Sequence, residues 1–544
     1  MYRESTTTKA PNKNESNNLI HNPRTEDFKK QTKKSAFDVL NVGLIISLAL
    51  LLRLCTSQYP YSGANTPPIY GDYEAQRHWQ EVTLNLPISQ WYSNSSNNDL
   101  QYWGLDYPPL TAYHSFLVAC IAHIHDPKSV ELHKSRGYES SSHKYFMRLS
   151  VLVVDMLIFI PAVLYFSFSA LPYSINQNSY KKICSNDCYF ISITLLCYPG
   201  IILIDYGHFQ YNCVSLGFFI ASVALIFQDS LMLGSCFFVL ALNYKQMELY
   251  HALPFFFYIL GLCFRARNRM SSLYLLVGVS LTVLVTFVTV WAPFLINVQV
   301  FTDVISRLFP IKRGIFEDKV ANIWCTFNIL YKLKSHISNF HLTLICLVTT
   351  VCALLPSCVD LFCRPSKNRF LLALINSSLA FFLCSFQVHE KSILLVAVPV
   401  LLYLHKDPFC CFWFLIISVF SILPLLIRDG LFVAYLALLT FFIIIVAWME
   451  PQVFYQQSIE MKEKNKRKVR SFENYNCCIN ALFGLSLIGI LFISICSVLI
   501  EPPKKYPDLY SLLISVYSCC HFSVFFIYFN YKQIFWTPDK GKLE

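Results

Sequence analysis

Charge is scarce in this chain. Of its 544 residues only 14% are Asp, Glu, Lys or Arg, 55% are hydrophobic, and mean hydropathy is +0.45. Soluble domains carry about 25% charge, so a large water-soluble enzyme is excluded. No period of about 20 to 50 residues repeats, which argues against a transporter built from two evident halves. The sequence also has no D-x-D and no H-E-x-x-H. A metal site from His208 and His389 therefore has little support, and no metal or other cofactor is expected.

What is present points to a membrane. The formal charge of +11 is divided among short loops between apolar runs, which suits lipid headgroups and topology better than nucleic acid. Most of the 21 cysteines lie inside those runs, where a thiol behaves as a small hydrophobe, so a stapled secreted fold is excluded. Cys184/Cys188 and the doublets Cys410-Cys411, Cys477-Cys478 and Cys519-Cys520 lack zinc-site spacing and are read as packing.

Apolar runs bounded by charge or proline begin near Ala36, Arg148, Ser185, Tyr211, Leu231, His251, Leu273, His341, Phe370, Ser392, Phe409, Leu431, Cys477 and Leu509. They predict an all-α polytopic membrane protein of about fourteen transmembrane helices. Residues 1–35 hold eight Lys/Arg against four Asp/Glu and are expected to be a disordered cytoplasmic tail. The first span, 36–54, lacks a cleavage site and should be retained. A lumenal loop with interfacial helices is expected over 55–147, spans two to seven over 148–296, a second large lumenal loop over 297–340, spans eight to fourteen over 341–531 and a cytoplasmic tail over 532–544.

Alternate loops carry Lys181 and Lys182; Arg265, Arg267 and Arg269; Arg364, Lys367 and Arg369; and the basic run from Lys462 to Arg470. This bias puts them, and both termini, in the cytoplasm. The C-terminal Lys540-Gly541-Lys542-Leu543-Glu544 has the K-x-K-x-x form of an endoplasmic reticulum retrieval signal, so the opposite face is expected to be the ER lumen. Asn94-Ser95-Ser96 is a lumenal acceptor sequon. Asn14 should stay unmodified, and Asn376 lies in a span.

The loops assigned to the lumen concentrate Asp, Glu, His, Trp, Tyr and Gln. Tyr73–Leu86 predicts an amphipathic helix ended by Pro87, with Glu74, Arg77 and Glu81 spaced to pair. Asp72 stands on a Gly-preceded turn at its start, as a helix cap or as a general base kept ionised at the lipid boundary. Asp106, among aromatics and prolines, either caps the next helix or addresses a polyol. Pro109–His125 is too short to span and is placed in the interface plane. His208, Lys312, Arg313, Lys319, His389 and Lys391 fall at the lumenal side of spans, where they can meet a phosphate or snorkel. Asp155 inside a span is either functional or one half of a buried pair, and Asn243, Lys245, Gln246 and Glu248 are open in the same way.

Five stretches together resemble a known family: GDYEAQRHW from Gly71, WGLDYPPL from Trp103, HFQYN from His208, RGIFEDKVANIWC from Arg313 and FQVHEKSIL from Phe386. They are similar to the ER dolichyl-phosphate-glucose-dependent α-1,3-glucosyltransferases, multi-helix enzymes of GT-C type, over nearly the whole chain after residue 55. The resemblance is nearer to members adding the first glucose to the nine-mannose lipid-linked glycan than to those adding the second.

It implies dolichyl β-glucosyl phosphate as donor, the dolichol-diphosphate-linked oligosaccharide as acceptor, and one inverting displacement. One carboxylate would take the acceptor proton, and cations would stabilise the departing phosphate without a general acid. The resemblance gives Asp72 as base, Asp106 as an acceptor-side carboxylate and His389 as a donor-phosphate contact. Lys391, Arg313 and His208 are added for charge and side of membrane, and Arg77 of the first motif is grouped with the substrate-binding residues. A carrier of lipid-linked sugars is the competing class, but its ionisable groups should lie near the midplane.

Overall fold

The computed structural model describes residues 23–173, 185–266, 268–309, 319–455 and 466–535. By packing, the chain forms two compact units, Met1–Ser47 and Leu48–Glu544. The candidate site lies in the second.

Every one of the fourteen expected runs is helical in the described residues. Ten helices are long and apolar enough to cross a membrane: Asp38–Ser57, Ser141–Tyr173, Asn186–Phe209, Gln246–Arg265, Arg269–Phe294, Asn339–Cys363, Pro408–Arg428, Phe432–Met449, Asn476–Leu499 and Leu509–Phe535. The runs expected from Tyr211, Leu231, Phe370 and Ser392 become Asn212–Phe227, Leu231–Tyr244, Lys367–Cys384 and Leu394–Tyr403. These helices are shorter or carry more polar residues. Lys367–Cys384 and Leu394–Tyr403 are almost wholly buried, so protein rather than lipid surrounds them.

Several boundaries move for a local reason. The second span starts at Ser141 rather than Arg148, because Ser140 caps the helix by accepting from the His143 N–H and a cap, not the first apolar residue, sets a helix start. The first helix reaches back to Pro23, so residues 23–35 are helical where a disordered tail was expected. The last helix continues to Phe535, past residue 531. Residues 1–22, the Lys181/Lys182 and Lys462/Lys464 clusters, Arg313 and the C-terminal K-x-K-x-x sequence lie outside the described residues.

The polar loop after the first span folds around its own core. Trp79, Val82, Trp91, Tyr92 and Leu105 pack with Trp291 and Phe294 at the end of Arg269–Phe294 and with Val304 and Leu308 of Val298–Leu308. Each such side chain fully buried contributes about 1.5–3 kcal/mol, which helps hold the loop against the helices. The predicted amphipathic helix is there, as Asp72–Asn85, but every residue from Tyr73 to Thr83 is buried. Its polar stripe faces other protein.

Asp155 has a structural partner. Arg53 Nε donates to its Oδ2 at 2.5 Å and Tyr206 Oη at 2.7 Å, with Arg53 and Asp155 fully buried. Glu248 pairs with His251 at 2.8 Å, also fully buried. No disulfide joins the described cysteines.

Candidate active site

Three irregular stretches of backbone bring distant loops together. Gly71 precedes the Asp72–Asn85 helix with no side-chain cap. Asn186–Phe209 closes with a π-helical stretch, Leu203–Phe209, which breaks at extended Gln210 before Asn212 begins the next helix. Wide turns of this kind re-aim side chains and recur at functional sites. A short 3-10 turn, Glu390–Ile393, carries Lys391 into the same space.

The geometry removes one of the two roles open to Asp72, that of helix cap. Its carboxylate caps nothing. Oδ2 accepts from Lys391 Nζ at 2.5 Å, Gln210 Nε2 at 2.5 Å and His208 Nε2 at 3.1 Å, and Oδ1 has no protein partner among the described residues. The side chain keeps 23% exposure while His208 keeps 1%. Burial alone would raise the Asp72 pKa, but the charges of Lys391 and His208 and their hydrogen bonds outweigh it and hold the carboxyl well below the usual carboxylate range. It is ionised at physiological pH, with one oxygen occupied and one open.

Asp72 opens on a cavity of about 580 Å³ with two kinds of lining. Its polar lining includes Asp106, Gln210, Asn212, Lys245, Arg307, His389 and Lys391; its apolar lining includes Leu216, Leu249, Phe381, Phe386, Leu394 and Leu395. A polar chain backs it: Lys245 Nζ donates to Asn212 Oδ1 at 2.5 Å, and Asn212 Nδ2 to Gln210 Oε1 at 3.0 Å and Asp205 Oδ1 at 2.7 Å. Burial and the nearby Lys391 charge lower the Lys245 pKa against the attraction of Asp205 and Asp72. Arg307 is anchored by donating to the Gly104 carbonyl at 2.7 Å and the Leu105 carbonyl at 3.2 Å. Trp103, also in the lining, has φ +53; its indole donates to the Ile69 carbonyl and its own carbonyl accepts from Trp79. Such strain persists only where neighbours over-determine it.

The sequence candidates separate accordingly. Asp72, Asp106, His389 and Lys391 line the cavity. Asp106 does not cap the Pro109–His125 helix, whose N-cap is Pro108; its carbonyl accepts from Gln246 Nε2 at 2.9 Å. His208 lies behind Asp72, between it and Asp429, so both ring nitrogens meet carboxylates. Arg77 does not reach the cavity. Fully buried, it is ligated by Glu74, Glu81, Ser135 and the Ser129 carbonyl, because i,i+3 and i,i+4 carboxylates on its own helix take its donors first. Asn94 is exposed. Among the described residues no group of three or more His, Cys, Asp or Glu is arranged to hold a metal.

Gln210, Asn212, Arg307 and Asp429 complete the site without having been singled out from sequence, and Lys245 joins them from the group left open. The signal for two of them was in hand, since Gln210 and Asn212 belong to the HFQYN stretch from which only the histidine was chosen.

The sequence profile of the ALG6, ALG8 glycosyltransferase family matches residues 45–528. A Gallus gallus protein named dolichyl pyrophosphate Man9GlcNAc2 alpha-1,3-glucosyltransferase is 48% identical over 504 residues, covering 92% of this chain and 97% of its own. A Drosophila melanogaster protein carrying that name as probable is 48% identical over 487 residues, covering 89% and 97%. An Arabidopsis thaliana protein, likewise named as probable, is 42% identical over 496 residues, covering 91% and 89%. With Asp72, His208, Lys391 and Asp429 all inside the matched region, the chain belongs to the ALG6, ALG8 glycosyltransferase family.

Proposed function

We propose that this glycosyltransferase moves glucose from dolichyl β-glucosyl phosphate onto a mannose hydroxyl of dolichyl pyrophosphate-linked Man9GlcNAc2, forming an α-1,3 bond with inversion in the ER lumen. Acceptor and linkage follow the names of the relatives. The observation that carries the chemistry is Asp72 Oδ1, a carboxylate oxygen with no partner among the described residues, on an ionised group at a cavity lined by both cations and apolar side chains.

In this reading the acceptor oxygen attacks the anomeric carbon from the face opposite phosphate. The carbon–oxygen bond to phosphate breaks, the hydroxyl proton passes to Asp72 Oδ1, and dolichyl phosphate leaves with the bonding pair. A carboxylate held far below neutral pKa is a weak base toward a resting alcohol. It becomes adequate late in the displacement, when the oxocarbenium-like centre has acidified the attacking hydroxyl. Charge growing on the leaving phosphate meets donors on the cavity wall, with His389 and Lys391 nearest in role and Arg307 and Lys245 in support. The apolar lining suits the first isoprene units of the lipid carrier.

The test is a reaction of the purified full-length protein with dolichyl phosphate glucose and both lipid-linked glycans, unglucosylated and monoglucosylated, followed by linkage analysis. One α-1,3-linked glucose on the unglucosylated glycan supports the proposal. Transfer only to the monoglucosylated glycan assigns the chain to the second-glucose step, and movement of lipid without a new bond makes it a carrier.

A further inference from the structure

We infer that Asp429 is a positioning residue for the transfer: acting through His208, it fills one oxygen of Asp72 so that the other meets the acceptor hydroxyl. The inference rests on Asp72 being the base. Asp429 follows the Leu423–Arg428 helix and precedes Gly430, whose φ of +72 turns the chain back. Its Oδ2 lies 2.5 Å from His208 Nδ1, with side chains 3% and 1% exposed. Asp429 is 221 residues from His208 in sequence and is not among the residues lining the cavity.

The chemistry of the ring gives the pair its consequence. A buried carboxylate accepts and cannot donate when ionised, so His208 Nδ1 must carry a proton. That leaves Nε2 two states. In the imidazolium it donates to Asp72 Oδ2 at 3.1 Å; in the neutral ring it accepts from Lys391 Nζ at 3.2 Å. Either state keeps the ring beside Oδ2 and turns Oδ1 toward the cavity. Without the Asp429 charge, the proton can move to Nε2 and leave Nδ1 as acceptor, and the lock on the base becomes one of several arrangements.

The backbone is shaped for this approach. The segment bearing His208 and the one bearing Asp429 lie so close that a Cβ on Gly207 would come within 2.7 Å of Leu431 Cδ1. The Ser62 N–H donates to the His208 carbonyl at 2.9 Å. Arg148 Nη2 donates to the Gly207 carbonyl at 2.8 Å. Among the described residues, Asp72, Lys391 and Asp429 are the charged side chains bonded to the ring, and Arg148 holds the backbone beside it. A structural His–Asp pair would be complete without the base; here the second ring nitrogen ends on it.

The test uses the full-length enzyme and initial rates against both lipid substrates. For Asp429→Asn we expect kcat to fall about 10- to 100-fold, less than the roughly 10²- to 10⁴-fold at stake in the base itself, with both KM values within about threefold. Asp429→Glu should recover part of kcat. In a His208→Gln background Asp429→Asn should cost nothing further, since residues acting as a unit are non-additive. A kcat within twofold of the parent, or additive losses in the double variant, overturns the inference. If Asp429→Asn does not purify as a monodisperse protein, His208→Gln alone decides: lower kcat at unchanged KM supports the relay and normal kcat overturns it. Asp72→Asn run alongside separates the two readings, because retained turnover there removes the base itself, whereas an inactive Asp72→Asn beside a normal Asp429→Asn removes only the relay.

Discussion

Asp72 and Arg77 are ~1.4 turns apart on one helix, and each is the centre of a cluster of opposite charges. Around Arg77 the cluster is closed. Glu74 Oε1 accepts from Arg77, Tyr102 and the Gly137 N–H; Glu81 accepts from Arg77, Ser135 and the His133 N–H. Around Asp72 the cluster is open, with three donors on one oxygen and, among the described residues, none on the other. A saturated network can only hold structure, while an unsaturated one at a cavity can exchange a proton. Both grow from a single stretch, GDYEAQRHW.

The strongest way to break this contrast is Asp72→Asn. The expected outcome is a roughly 10²- to 10⁴-fold loss of transfer with thermal unfolding nearly unchanged; near-normal turnover would remove Asp72 from the base role. Arg77→Met should do the reverse. Leaving Glu74 and Glu81 buried without their cation is expected to destabilise by about 3–5 kcal/mol, measured as a lower unfolding temperature in detergent, and the folded fraction should keep its KM for donor. A normal unfolding temperature with a raised KM would make Arg77 a substrate ligand after all.

His389→Ala sharpens the open side. It is expected to raise KM for dolichyl phosphate glucose about tenfold, roughly 1.4 kcal/mol, and unchanged donor kinetics would contradict it. The closed side has a pH signature. Burial would raise the Glu81 pKa, but the His78 hydrogen bond and the Arg77 charge bring it down to about 2. Its stabilising contribution is therefore complete above the unfolded value of about 4.3 and lost as pH falls through about 2. The stability gap between the parent and Glu81→Gln should be constant from neutral pH to about 4.5 and narrow below it. Asn94→Gln should have the smallest effect: it removes a glycosidase-sensitive mass shift and leaves transfer intact. Absence of that shift in the parent would contradict a lumenal loop.

Much of the fold was legible because membrane helices are written locally. An apolar run must satisfy its own backbone in lipid, so hydropathy locates it without knowledge of neighbours; all fourteen runs became helices. The boundaries were less legible where a cap such as Ser140 rather than hydropathy decides. Asp72, His389 and Lys391 could be picked because they stand in polar loops on one expected side. Asp429 could not, since nothing within a few residues of Arg428-Asp429-Gly430 distinguishes it from an ordinary turn. Arg77 misled for the opposite reason: the i,i+3 and i,i+4 spacing that pairs it with Glu74 and Glu81 was read correctly, but not that pairing would leave it no donor for a substrate.

The sequence by itself determined the class of protein and where its apolar helices fall along the chain, because each of these depends on residues adjacent in the chain. Only the tertiary structure decided that the Asp72 carboxylate caps no helix, which of its oxygens is occupied among the described residues, and that His208 faces two carboxylates. Those facts depend on contacts between groups 136 to 319 residues apart, and packing of helices and loops, not local pattern, sets the distances between them.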